Sequence, residues 1–431
     1  MITTRRALLA GGAGAAFALT GCGRSRSTTD LSVLVNHTNQ EAALFQDQVD
    51  RFAADRPGVR IRVQNIANGA QFYTKLRTVS VTGDLPDVWY ARTLDTAFNV
   101  ANGWQLRLDD RLDSGGTDDF WPAQVRQMSV AGSLYSLPYD FSCYAIYVNT
   151  TMFDELGVPL PDDETWTWTD LFELAAAFRR VENGRQNRWG FYFSLGSWLF
   201  DGIFRAHGGS MFDDAGRTVR VGSAENIETL RQFYDQLANG NAAQPQTLGA
   251  AVDPFVSGLV AMAINGSWAT KQTRDQVGDR FAWDVLKLPR GSTGRREIAA
   301  AGGAWGISTD SANPDLAWEL ISYLSDRERL NTFISEPLRG IPGRISSAED
   351  EATMAARSRQ PPRNFKILSD QFLTDAYEIT WPAFWSEYET IWNNRSTALN
   401  SGADPAEILP QIERDAQAAA ARYAATEAGG R

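Results

Sequence analysis

The chain has 431 residues, more than one ordinary core organises, and it divides into two or three domains. Its formal charge of −11 argues against nucleic acid, whose phosphate backbone wants a basic face, and gives no support to electrostatic docking on an anionic membrane. Two His and two Cys leave too few ligands for a zinc site, so no metal or cofactor is expected, whereas 14 Trp call for a use.

The N-terminus reads as an export signal. Arg5 and Arg6 precede an apolar run over 7–20, too short to span a bilayer. Thr4-Arg5-Arg6-Ala7-Leu8-Leu9 resembles a twin-arginine signal, with an ordinary Sec signal equally open. Leu19-Thr20-Gly21-Cys22 resembles a bacterial lipobox; the alternative is a soluble signal that happens to contain a cysteine. The resemblance implies that residues 1–21 are removed and that Cys22 becomes a lipidated N-terminus on a polar tether, 22–29. Cys143 is then left without a disulfide partner and is expected to be a buried small hydrophobe.

The mature chain opens with an apolar strand over 31–35. Thr38 and Glu41 have capping-box spacing, and Leu44, Phe45, Val49, Phe52 and Ala53 follow at helical period until Arg56-Pro57-Gly58 stops them. Val59, Ile61 and Val63 then alternate with polar residues. Strand, helix, strand is a βαβ unit, and it predicts a parallel sheet. The rhythm repeats: a helix opening at 72–76, a turn over 83–86, and a strand over 87–90. Helices are predicted over 170–180, 225–238 and 314–325, and from Asp404-Pro405 to about 424. The chain reads as α/β, in more than one lobe, each built on a sheet.

Several segments, in order, resemble the extracellular solute-binding proteins of sugar ABC importers, the maltose-binding-protein-like group. They are "FAADRPGVRIRV" (52–63), "YTKLRTVSVTGDLPDVWY" (73–90), "YSLPYDFSCYAIYVNTTMFDELGV" (135–158), "TWTWTDLFELAAAFR" (165–179), "FVSGLVAMAINGSWAT" (255–270) and "GGAWGISTDSANPDLAWELISYLS" (302–325). The chain departs from the group at Val148-Asn149, where Tyr-Asn is common, and in using arginine where lysine is usual. The resemblance implies a periplasmic-binding-protein-like fold with two α/β lobes of discontinuous segments around a hinge. On that pattern the N-terminal lobe takes 30–138 and 288–340, and the C-terminal lobe takes 139–287 and 341–431. It further implies a monomer that binds a saccharide between its lobes and closes by hinge bending. The partner is an ABC permease powered by an ATPase on another chain.

Sugar C–H faces stack on aromatic rings, and sugar hydroxyls need carboxylates, amides or arginine in a desolvated cleft. Open α/β sheets bind ligands beyond the carboxyl ends of their strands, so the candidates are sought there. Asn36, His37 and Thr38 follow the first strand, although Thr38 can simply cap a helix. Arg92 follows the strand over 87–90, with a surface ion pair as the alternative. Tyr139-Asp140 sits at the expected first crossover and can equally be a hinge turn. Trp268 in Gly266-Ser267-Trp268 ends an apolar strand and is the leading candidate. Gly303 and Trp305 in Gly302-Gly303-Ala304-Trp305 offer bare backbone and an indole, or core packing. Trp198, Trp381 or Trp385, and Arg344 complete the set.

Three rivals remain open. An exported carbohydrate-active enzyme needs two carboxylates across a glycosidic bond, and Asp and Glu are plentiful. No Gly-x-Ser-x-Gly, His-Glu-x-x-His or phosphate-binding P-loop occurs. The same fold can bind another solute, such as a polyamine or a glycerol phosphate ester. A lipoprotein adhesin or sensor partner is the third.

Overall fold

The computed structural model describes residues 29–67, 69–194, 196–243, 253–299, 301–335, 340–377 and 381–429. The expected signal segment, Cys22 and all of the tether but Thr29 lie outside them.

The opening unit forms as its pattern dictates. Strand Asp30–Val35 pairs in parallel with Arg60–Asn65, and helix Asn39–Ala54 connects them. Thr38 accepts from the Glu41 N–H while the Glu41 carboxylate accepts from the Thr38 N–H, so the capping box is complete. Strand Val88–Arg92 joins the other edge of Asp30–Val35, again in parallel. The sheet then turns mixed: Ala301–Ile307 runs antiparallel to Val88–Arg92, Ser136–Ser142 antiparallel to Ala301–Ile307, and Ile341–Pro342 closes the order.

The second sheet has the order Ala242–Ala243, Arg185–Tyr192, Val260–Gly266, Tyr144–Val148, Asp284–Leu286, with Arg180–Glu182 pairing Arg185–Tyr192. The helices fall close to their predicted positions: Trp168–Phe178, capped by Thr167 and Asp170, then Ala224–Ala238, Pro314–Leu324 and Pro405–Gly429. Each sheet carries its own apolar core. Phe45, Phe52, Tyr139 and Trp305 belong to the first, and Tyr147, Phe191, Phe233, Trp385 and Trp392 to the second.

The crossings between lobes differ from the expected ones. Asp140, Phe141 and Ser142 still pair within the first sheet, and Tyr144 begins a strand of the second, so the chain crosses at Cys143 rather than at 139. Leu288, Ile298 and Ala299 pack in the second core, so the return falls just before Ala301 rather than at 288. Ile341 and Pro342 stay with the first sheet before Ala348 and Phe365 enter the second core. The expected crossover at Tyr139-Asp140 thus falls inside a strand that continues to Ser142.

Candidate functional site

A cleft of about 440 Å3 opens between the lobes. The ends of four strands reach it. Asn36, His37 and Thr38 follow Asp30–Val35, Arg92 ends Val88–Arg92, Asp140 and Ser142 lie on Ser136–Ser142, and Trp268 follows Val260–Gly266.

The second lobe supplies an aromatic wall. Trp268 sits in a short turn directly after Gly266, and a Cβ on Gly266 would stand 2.0 Å from its ring. The missing side chain is what lets the indole fold back over its own strand. Trp268 stacks on Trp198 with ring centroids 5.4 Å apart and planes at 30°. Trp198 opens helix Ser197–Ala206, and its Nε1–H donates to the Ala299 carbonyl at 3.2 Å. Tyr144 packs against both rings, 4.6 Å from Trp198 and 5.1 Å from Trp268. Burial and the Glu389 charge push the Tyr144 phenol well above its ordinary pKa, so it stays a neutral hydrogen-bonding group.

The first lobe supplies a polar wall. Asp140 Oδ1 accepts from the Gly303 N–H at 2.6 Å, and Tyr90 Oη donates to the same carboxylate at 3.1 and 3.2 Å. Arg92 lies beside it, its guanidinium 4.0 Å above the Tyr73 ring. Nε and Nη2 donate to Asp95 at 2.7 and 3.1 Å; Nη1 and Nη2 donate to Glu389 at 3.2 and 3.1 Å. Glu389 sits on helix Trp385–Ser396, whose Trp385, Tyr388 and Trp392 belong to the second core. The pair therefore spans the lobes. Nearby, Arg77 of the first lobe donates to Ser386 Oγ of the same helix.

His37 and Thr38 both line the cleft. The His37 N–H donates to Asn65 Oδ1 at 2.9 Å, and its buried ring lies 5.2 Å from Phe45, 5.9 Å from Tyr90 and 5.7 Å from Phe333, so it sits at the cleft margin against the first core. Arg92, Asp140, Trp268 and Trp198 reach the cleft as well.

Five candidates do not. Trp305 is fully buried in the first core, stacked on Phe45 at 5.5 Å, because both faces of Ala301–Ile307 are covered. Tyr139 packs beside it, 4.8 Å from the indole, on the strand face opposite Asp140. Gly303 acts from behind the wall: it holds Asp140, and a Cβ there would lie 2.1 Å from the Tyr90 ring. Arg344 donates to the Ser325 carbonyl at 2.6 Å and to Asp119 at 3.1 Å, beside a separate hollow in the first lobe. Trp381 packs on Trp385 at 4.5 Å, and both are buried in the second core.

Tyr90, Tyr144, Ser142 and Glu389 are cleft residues that sequence reasoning missed. Two had a usable signal: Tyr90 shares a strand face with Arg92, and Ser142 with Asp140, by two-residue alternation. Glu389 had none, being 297 residues from Arg92. Among the described residues no cluster of three His, Cys, Asp or Glu forms a metal site, and no helix is long and apolar enough to cross a membrane.

A family model described as bacterial extracellular solute-binding protein matches residues 47–359, well over half of the chain. The chain belongs to that family. The match takes in the cleft residues from Tyr73 to Trp268, all of the second sheet and the first sheet except its strand Asp30–Val35. Among individual relatives of this solute-binding protein is the lactose-binding protein of Rhizobium radiobacter, 21% identical over 92% of this chain and 94% of that protein. A multiple sugar-binding protein of Streptococcus mutans is 20% identical over 73% and 77%. Both relatives are named as binding proteins. Of solved structures, an ABC substrate-binding protein from Listeria monocytogenes in complex with cycloalternan superposes with a TM-score of 0.80 at 21% identity, over 90% of this chain and 97% of that one. The GacH receptor of Streptomyces glaucescens, described unliganded and with acarbose, gives 0.77 at 20% identity, over 90% and 98%. The two-lobed α/β fold of this solute-binding protein is thus a shared one.

Proposed function

We propose that this solute-binding protein captures a saccharide in the interlobe cleft and delivers it to an ABC permease. One observation carries the reading: an aromatic wall of Trp268, Trp198 and Tyr144 faces a polar wall of Asp140, Tyr90 and Arg92 across one cleft. That is the pairing a sugar ring requires, apolar faces against indoles and edge hydroxyls against polar and charged groups. The names of the relatives, lactose-binding and multiple sugar-binding, support the same ligand class. Lobe closure buries both faces of the ring. The hinge runs through the crossings at Cys143, before Ala301 and after Pro342, where the described chain passes from one lobe's core to the other's. The protein is exported, acts as a monomer and is held at the outer face of the cell membrane by lipid on Cys22.

Thermal-shift and calorimetric titration with a carbohydrate panel tests the ligand. A sugar that raises the melting temperature without being consumed supports the reading. A polyamine that does so where no sugar does overturns it, and turnover of an oligosaccharide identifies an enzyme instead. For the anchor, Cys22→Ser is expected to move the protein out of the membrane fraction, and unchanged retention refutes the lipid attachment.

A further inference from the structure

The charges of the cleft are lopsided. Glu41, Asp140 and Glu389 line it, Asp95 lies directly behind, and Arg92 is the only Lys or Arg among its described lining residues. An arginine meant for a ligand carboxylate or phosphate presents an open fork to the cavity. Arg92 does not. One edge of its guanidinium is held bidentate by Asp95, the other bidentate by Glu389, and its face covers Tyr73. Four of its five N–H donors are committed to carboxylates. An anion entering the cleft therefore finds no free cation and meets an excess of carboxylates where the dielectric is low.

Taking the saccharide reading above as its basis, we propose that Asp95 and Glu389, by occupying Arg92, make the cleft exclude anions: the saccharide it takes is uncharged or carries an amine, and uronic-acid and phosphorylated sugars are rejected. Glu389 is the specificity-determining member. It comes from the opposite lobe, and its pairing with Arg92 is formed across the cleft in this structure. Asp95 belongs to the turn after the Arg92 strand, positions the guanidinium, and does not depend on closure.

The test is calorimetric titration of the full-length mature protein at low salt. The ligands are neutral sugars (glucose, galactose, mannose, lactose and maltose), the corresponding uronic acids and 6-phosphates of the hexoses, and hexosamines. Each neutral sugar that binds is expected to bind at least ~10-fold more tightly than its anionic counterpart, equivalent to about 1.4 kcal/mol. The hexosamine is expected to bind at least as tightly as the anionic forms in every case. In Glu389→Gln the neutral-over-anionic ratio is expected to shrink by roughly 10-fold. In Glu389→Asp, which keeps the charge, the preference for neutral sugar is expected to remain. Half-molar salt is expected to narrow the wild-type ratio, since screening weakens charge exclusion. An anionic sugar that binds wild type as tightly as its neutral counterpart overturns the proposal while leaving saccharide capture standing. So does an unmoved ratio in a Glu389→Gln protein that melts like wild type. Failure of every saccharide, charged or not, refutes the capture reading itself and the proposal with it.

Discussion

Replacing Trp268 by alanine removes the exposed indole of the aromatic wall. The side chain is 43% exposed in the cleft, with Trp198 behind one face. A tryptophan presents up to about 250 Å2 in all, so roughly 100 Å2 of this one is left for a ligand to cover. At about 25 cal/mol per Å2 that area contributes up to about 2.5 kcal/mol to binding. A sugar face does not cover all of it, so the expected loss is about 2 kcal/mol, or roughly 30-fold in Kd. The assay is calorimetric titration with the tightest sugar of the panel, run on Trp268→Ala and Trp268→Phe. Phenylalanine keeps a ring over Trp198 and is expected to recover about half of the lost free energy. A melting curve on each variant separates loss of affinity from loss of fold. If Trp268→Ala binds within threefold of wild type, the indole is not the stacking platform and the cleft argument fails at its main contact.

The other rings and supports give contrasting outcomes. Trp305→Ala empties a fully buried site in the first core and is expected to cost about 3–5 kcal/mol of stability, read by chemical denaturation, while any affinity change stays far smaller than that of Trp268→Ala. Gly303→Ala drives a Cβ into the Tyr90 ring and disturbs the hydrogen bonds on Asp140; affinity is expected to fall about 10-fold, more than the melting temperature implies, and unchanged affinity would show that Asp140 needs no such support. In a Cys22→Ser background Cys143 is the only thiol, and burial pushes its pKa up to about 12. A raised thiol pKa leaves almost no thiolate at pH 8, so a disulfide exchange reagent is expected to modify Cys143 only as the chain unfolds; rapid labelling of the native protein would refute its burial.

The fold was legible because its local signals agree with one another. Thr38 and Glu41 cap the helix they were expected to cap, and Val59, Ile61 and Val63 alternate on a strand that does pair in parallel with the first. Sheet order was not legible. Nothing local tells Ala301–Ile307 that it will insert between Ser136–Ser142 and Val88–Arg92, running antiparallel to both. The same limit governs the site. Residues just past strand ends, His37, Thr38, Arg92 and Trp268, were found because open sheets present those positions to ligands whatever the wider topology. Trp305 defeated the rule because its strand is central in a sheet covered on both sides, so its indole packs in the core and Gly303 admits the Tyr90 ring rather than a ligand.

Arg92 marks the boundary between the two kinds of information. Its place at a strand end was local, and its alternative, an ion pair, was stated with it. The two readings are not exclusive. Its partners are Asp95, three residues on, and Glu389, which only the meeting of the lobes brings near. An exposed ion pair contributes little to stability, and this one is about three-quarters shielded, so its effect is better sought in what it denies to a ligand than in what it adds to the fold. The charge that sequence alone suggested as a hand for the ligand is, in the folded chain, already held. What the cleft then offers a sugar is carboxylate acceptors on one side and bare indole on the other, and the molecule that fits both surfaces is one with hydroxyls to donate and no negative charge of its own.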